Sequence, residues 1–80
     1  MKIKISLDSF IKNFADQFEE ADMQLIHAGT KFRDIEEWSS LHAMLIMAMV
    51  DEMYKIDLTA DDIQKSDTIE DIFNIITSHK

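Results

Sequence analysis

Residues 37–54 read Glu37-Trp38-Ser39-Ser40-Leu41-His42-Ala43-Met44-Leu45-Ile46-Met47-Ala48-Met49-Val50-Asp51-Glu52-Met53-Tyr54. From Ala43 to Val50 no side chain is polar, so at 3.6 residues per turn the run is apolar on every side. An ordinary surface helix of a small bundle carries one apolar stripe. The run is far short of the ~20 apolar residues that span a bilayer, which makes it a core helix rather than a membrane segment. Ser39 or Ser40 supplies an N-cap, and the spacing predicts a helix from Ser40 to Tyr54. Ile46, Val50 and Tyr54 form one stripe, which Ala43 and Met47 widen. Leu41, Met44, Leu45 and Ala48 point elsewhere. They either pack beneath a long loop or form a second face for a partner, and partner contact is expected because three other short helices hardly enclose this one. Met44, Met47, Met49 and Met53 add flexible, polarizable side chains that serve as packing and also suit variable apolar shapes.

Outward from this helix the pattern stays helical. Phe10, Ile11, Phe14 and Phe18 mark one face of a first helix starting near Leu7 or Asp8, before Glu19, Glu20 and Asp22 interrupt it. Residues 20–39 form a long connection. In it Met23, Leu25 and Ile26 make a helical turn that Gly29 ends in the left-handed conformation, and Phe32 and Ile35 pin the loop to the core. Lys55-Ile56-Asp57-Leu58 is a short extended linker. Thr59 caps a short third helix, with Asp62 three residues on, and Thr68 caps the last, with Asp71 three residues on; both are capping-box patterns with Asp for the usual Glu. Ile69, Ile72, Phe73 and Ile76 are the buried stripe of the last helix. The 80 residues contain one glycine, no proline and no Asn-Gly turn, on which β-hairpins lean, so all-α is the natural prior. The expectation is an all-α single domain over residues 1–80, a small four-helix bundle of three main helices and a short third.

Charge narrows the partners. Sixteen acids against eight Lys and Arg give a net charge of −8, which disfavours nucleic acid and favours a basic protein surface. Between Asp34 and Asp71 the acids are opposed only by Lys55 and Lys65. The absence of cysteine removes thiolate chemistry and disulfides. No apolar stretch of signal-peptide length follows Met1-Lys2-Ile3-Lys4-Ile5, so a cytoplasmic protein with no membrane segment is expected. His27, His42 and His79 form no metal motif. His42, two residues from Ser40, reads as a solvent-facing helix residue rather than a base, because no third group is placed to orient it. No nucleophile–base pair is recognisable, so an enzyme is not expected.

The stretch Glu37-Trp38-Ser39-Ser40-Leu41 resembles the attachment site of acyl carrier proteins, whose signature is Asp-Ser-Leu at the start of a helix. Ser40 and Leu41 match the last two positions, and Ser39 stands where the family usually has Asp. Thr30-Lys31-Phe32 resembles the family's loop anchor, and Val50-Asp51-Glu52-Met53-Tyr54 its acidic and aromatic helix ending. Leu58, Ile63, Thr68, Ile69, Ile72 and Ile76 follow in register, so the likeness covers residues 7–78. It also resembles a subset in which Trp precedes the motif and serine replaces the Asp. The resemblance implies a non-enzymatic carrier. A phosphopantetheinyl transferase would attach 4′-phosphopantetheine from coenzyme A to Ser40, and acyl groups would ride on its thiol as thioesters.

The departures also carry information. His42 and Leu45 fall where acidic residues are common in the family, so partner recognition is expected to be more apolar than usual. Leu41, Met44 and Ala48 are the expected centre of a docking surface, rimmed by Glu36, Glu37, Asp51 and Glu52, for acyl-loading and acyl-transfer enzymes with basic or apolar surfaces. Trp38 either contacts a partner or the arm, or covers the edge of the core. Ser39 is the better N-cap candidate and the competitor for modification. A monomer is expected. An aminoacyl or peptidyl carrier, and an unmodified helical interaction module in which Ser40 is only a cap, remain alternative readings.

Overall fold

The computed structural model describes residues 6–19 and 23–78. Glu20, Asp22, His79 and the N-terminal segment through Ile5 therefore lie outside the described residues. Four α-helices follow in order, α1 (Leu7–Ala15), α2 (Ser40–Tyr54), α3 (Ala60–Gln64) and α4 (Ile69–Ser78), with 3-10 turns at Met23–Leu25 and Phe32–Asp34. The all-α four-helix expectation holds, and the bounds of α2 coincide with those predicted.

Local chemistry sets each start. The Ser6 hydroxyl accepts the Ser9 N–H at 3.2 Å ahead of α1. At α3 the Thr59 hydroxyl accepts the Asp62 N–H and the Asp62 carboxylate accepts the Thr59 N–H, each at 3.1 Å, a reciprocal box that satisfies two donors of the first turn. Thr68 and Asp71 repeat it at α4, where the Asp71 carboxylate also accepts the Asp67 N–H at 3.0 Å. α2 ends at Lys55, whose N–H still donates to the Asp51 carbonyl at 3.0 Å and whose left-handed backbone (φ 58°) then turns the chain out of the helix.

The core lies where the helices meet. Phe10, Phe14, Phe32, Ile46, Val50, Ile69, Ile72 and Ile76 are fully enclosed. Each buried aliphatic or aromatic side chain contributes about 1.5–3 kcal/mol. α1 stops at Ala15, yet Phe18 is still buried, because the Gln17 and Phe18 N–H groups turn back to the Phe14 and Ala15 carbonyls. Phe73 packs partly buried on this core, 5.9 Å from Phe10 between ring centroids.

The long connection is held between Ala28 and Ile35. Lys31 bridges Thr68, and the Ile69 and Glu70 N–H groups donate to the Thr30 and Ala28 carbonyls at 3.1 and 3.0 Å. Phe32 is fully buried and Ile35 partly so, as expected of anchors. Arg33 donates to the carbonyls of Ser66 at 2.6 Å and Ile63 at 2.7 Å, satisfying the C-terminal end of α3. One expectation is corrected here: Gly29 does not adopt a positive φ. A backbone bond from the Thr30 N–H to the His27 carbonyl at 3.0 Å closes that turn, and side chains reinforce it. The Thr30 hydroxyl donates to the Leu25 carbonyl at 2.8 Å and accepts the His27 N–H at 2.9 Å, and the Gly29 N–H donates to His27 Nδ1 at 3.1 Å.

Candidate functional site at the start of helix α2

Ser40 is the first residue of α2 and is exposed. Its hydroxyl makes no hydrogen bond with any described residue. Ser39 precedes it in extended backbone, φ −154° and ψ 175°, and is the N-cap by position. It does not cap with its side chain, which corrects the expectation that it would. The Ser39 hydroxyl lies 3.0 Å from His42 Nδ1 instead. The first-turn N–H groups of α2, which have no carbonyl of their own helix to bond, thus receive no oxygen from the residue placed to cap them.

His42 overturns a second expectation. It does not face solvent: it is 9% exposed, and its ring lies nearly parallel to Phe18 with centroids 4.5 Å apart. Residues four apart share a helix face, so His42 falls on the side of Ile46 and Val50, both fully buried. A third group does orient it, since His42 Nε2 is 3.3 Å from Glu37 Oε2. The same carboxylate oxygen accepts the Glu19 N–H at 3.0 Å. The signal was available in the spacing from His42 to Ile46, but a polar residue in an apolar run reads as the solvent side.

The apolar residues of α2 divide into two sides. His42, Ile46, Met49 and Val50 are buried, and Tyr54 is half-buried, its hydroxyl accepting the Asn13 amide N–H at 2.9 Å. Leu41, Met44, Leu45 and Ala48 are exposed, Leu41 at 60% and Met44 at 62%. Leu41, Met44 and Ala48 follow a spacing of three and four residues that continues into the exposed Asp51 and Glu52, so these five share one face. Glu36 is exposed in the preceding loop, whereas Glu37 is partly buried by its bonds to His42 and Glu19. Trp38 sits over the core edge, parallel to Phe14 at 6.4 Å and 4.9 Å from Phe32. Met49, 5% exposed, was not among the residues read as the buried stripe.

The site therefore joins an exposed serine at a helix N-terminus to a neighbouring Ser–His–Glu row and an exposed apolar stripe with an acidic end. An anion on Ser40 would lie beside first-turn N–H donors and the positive end of the helix dipole. Among the described residues, no helix is long and apolar enough to cross a membrane, and no three His, Asp or Glu side chains converge as metal ligands. No protein-family model, curated protein or solved structure matches this chain.

Proposed function

We propose that this chain is an acyl carrier protein that holds acyl groups as thioesters on 4′-phosphopantetheine attached to Ser40. The observation that carries this reading is Ser40, exposed at the first residue of α2 with no hydrogen bond from its hydroxyl among the described residues, beside a face on which Leu41 and Met44 are each more than half exposed. The group, once attached, supplies the terminal thiol that an acyl chain needs. The chain's own part is to present and orient. Ser40 offers an unencumbered oxygen to a transferase, and the first turn of α2 favours a phosphodiester by about 0.3–1 kcal/mol at an exposed site. Leu41, Met44 and Ala48 give partner enzymes an apolar contact, and Asp51 and Glu52 extend it toward a basic rim. Glu36 adds a further exposed acid in the loop before α2. The partners in this reading are a cytoplasmic phosphopantetheinyl transferase and the enzymes that load and transfer the acyl group.

The test is the intact mass after incubation with coenzyme A and a promiscuous phosphopantetheinyl transferase, beside a Ser40→Ala control. A gain of one phosphopantetheine, absent in the control, supports the carrier. No gain, with a transferase active on another carrier, favours the second reading, a helical interaction module docking through the exposed Leu41–Met44 face.

A further inference from the structure

The Ser39–His42–Glu37 row lies beside Ser40 and plays no part in the carrier reading. Its chemistry is directional. Ionised Glu37 only accepts hydrogen bonds, so the 3.3 Å contact to His42 Nε2 keeps a proton on that nitrogen. In that tautomer Nδ1 is the imidazole's acceptor, and the Ser39 oxygen lies 3.0 Å from it, so the Ser39 O–H is the group that donates. Phe18 fixes the plane of the ring from one side. Ser39 is an exposed residue, and the base is 9% exposed. A nucleophile in reach of a base, with the base oriented by a third group, is the arrangement that activates a serine. The backbone N–H groups opening α2, left uncapped by the Ser39 side chain, stand at the same helix end as donors for a developing oxyanion.

We infer that Ser39 is an activated nucleophile that accepts an acyl group from an activated ester or thioester, with His42 as general base and Glu37 as its positioning residue. The Ser39 oxygen attacks the acyl carbonyl as its proton passes to His42 Nδ1. The bond from carbonyl carbon to the leaving sulfur or oxygen then breaks, its electron pair going to that atom, which takes the proton from Nδ1 and departs. An ester remains on Ser39. Water deprotonated by the same nitrogen releases the acid and restores the serine, with no oxidant or reductant required. The activity needs no phosphopantetheine and stands or falls independently of the role of Ser40.

The experiment uses the Ser40→Ala protein with p-nitrophenyl acetate and neither coenzyme A nor transferase, so its outcome is separate from that of the carrier test. The label is located by intact mass and peptide mapping. One acetyl ester on Ser39 is expected, absent when Ser39→Ala is added. Acetylation should slow about 100-fold or more in His42→Gln, the loss typical of removing a general base, and in Glu37→Gln the pH–rate profile should shift while the label stays on Ser39. Because His42 is buried, each variant is checked by circular dichroism. Should His42→Gln not fold, the labelling site in the Ser40→Ala protein itself decides: the acetyl group maps to Ser39 ahead of every lysine and every other serine. Label confined to lysines or to other serines, or equal Ser39 labelling in a folded His42→Gln protein, would each overturn the inference.

Discussion

The His42 imidazole lies 6° from parallel to the Phe18 ring, with the two centroids 4.5 Å apart. Phe18 belongs to the turn after α1, so this one contact couples the end of the first helix to the start of the second. It also places an aromatic face against the residue that links Ser39 to Glu37. Phe18→Ala removes that face and opens a cavity beside Phe14, 5.7 Å away. The expected cost is about 3–5 kcal/mol, as for other buried aromatics cut to alanine, read from urea unfolding. His42 should also become more exposed, visible as line broadening and shift of its imidazole proton resonances.

Helix starts in this chain are unequal, and alanine substitutions should rank them. Thr59 and Thr68 each accept a first-turn N–H at 3.1 Å. Thr59→Ala and Thr68→Ala should each cost about 0.5–2 kcal/mol. Ser40 is exposed and its hydroxyl makes no hydrogen bond among the described residues, so Ser40→Ala should stay within about 0.5 kcal/mol of the parent. Urea midpoints at unchanged m-value measure all three. A Ser40→Ala protein as unstable as Thr68→Ala would mean that Ser40 is a cap after all, and would weaken its use as a clean control for modification.

Asp71 makes stability depend on pH in a defined direction. The backbone N–H groups of Asp67 and Thr68 hold its carboxyl below its ordinary value of 3.8. A carboxyl depressed in the folded state binds fewer protons there than in the unfolded chain, so stability rises with pH across the gap. The contribution is complete above the ordinary value and is lost as pH falls through the lower folded value. Asp71 is exposed, so the effect is modest and screened by salt. Urea midpoints taken down the acid limb should fall less steeply in Asp71→Asn than in the parent, and the two should converge once the carboxyl is protonated.

Most of the fold was legible because periodicity and caps agree with one another. Phe10 and Phe14, Ile46 and Val50, and Ile69, Ile72 and Ile76 all lie where helical spacing puts a buried face. Thr59 with Asp62 and Thr68 with Asp71 mark two helix starts by chemistry readable three residues apart. Ser40 was legible as the open end of α2. What was not legible depends on tertiary neighbours. Ser39 and His42 gave opposite expectations because a serine before a helix is a cap by default. A histidine among apolar residues likewise reads as outward when its partners are unknown. Glu37 and Phe18, distant in sequence from each other, decide otherwise by bonding and covering that imidazole. Gly29 misled for the same reason. Its turn is closed by the Thr30 N–H on the His27 carbonyl and by the Thr30 and His27 side chains, and the left-handed conformation that glycine permits is not used there.

That conformation is used at Lys55, the one non-glycine residue with positive φ among the described residues. Its N–H bonds the Asp51 carbonyl at 3.0 Å and ends α2 before the extended segment leading to Leu58, which is buried at 3% exposure. A Cβ in the left-handed region costs roughly 1–2 kcal/mol. Glycine avoids that cost but loses more freedom on folding, and where φ is positive the balance favours it. Lys55→Gly should therefore raise stability by about 1 kcal/mol. Lys55→Val, β-branched and worse suited to positive φ, should lower it. Both are read as shifts of the urea midpoint at constant m-value. A midpoint unchanged by glycine would mean that the Lys55 side chain stabilises the turn in some other way, for example through its charge near the carbonyl end of α2. Lys55→Gln, which removes only the charge, would then separate the two.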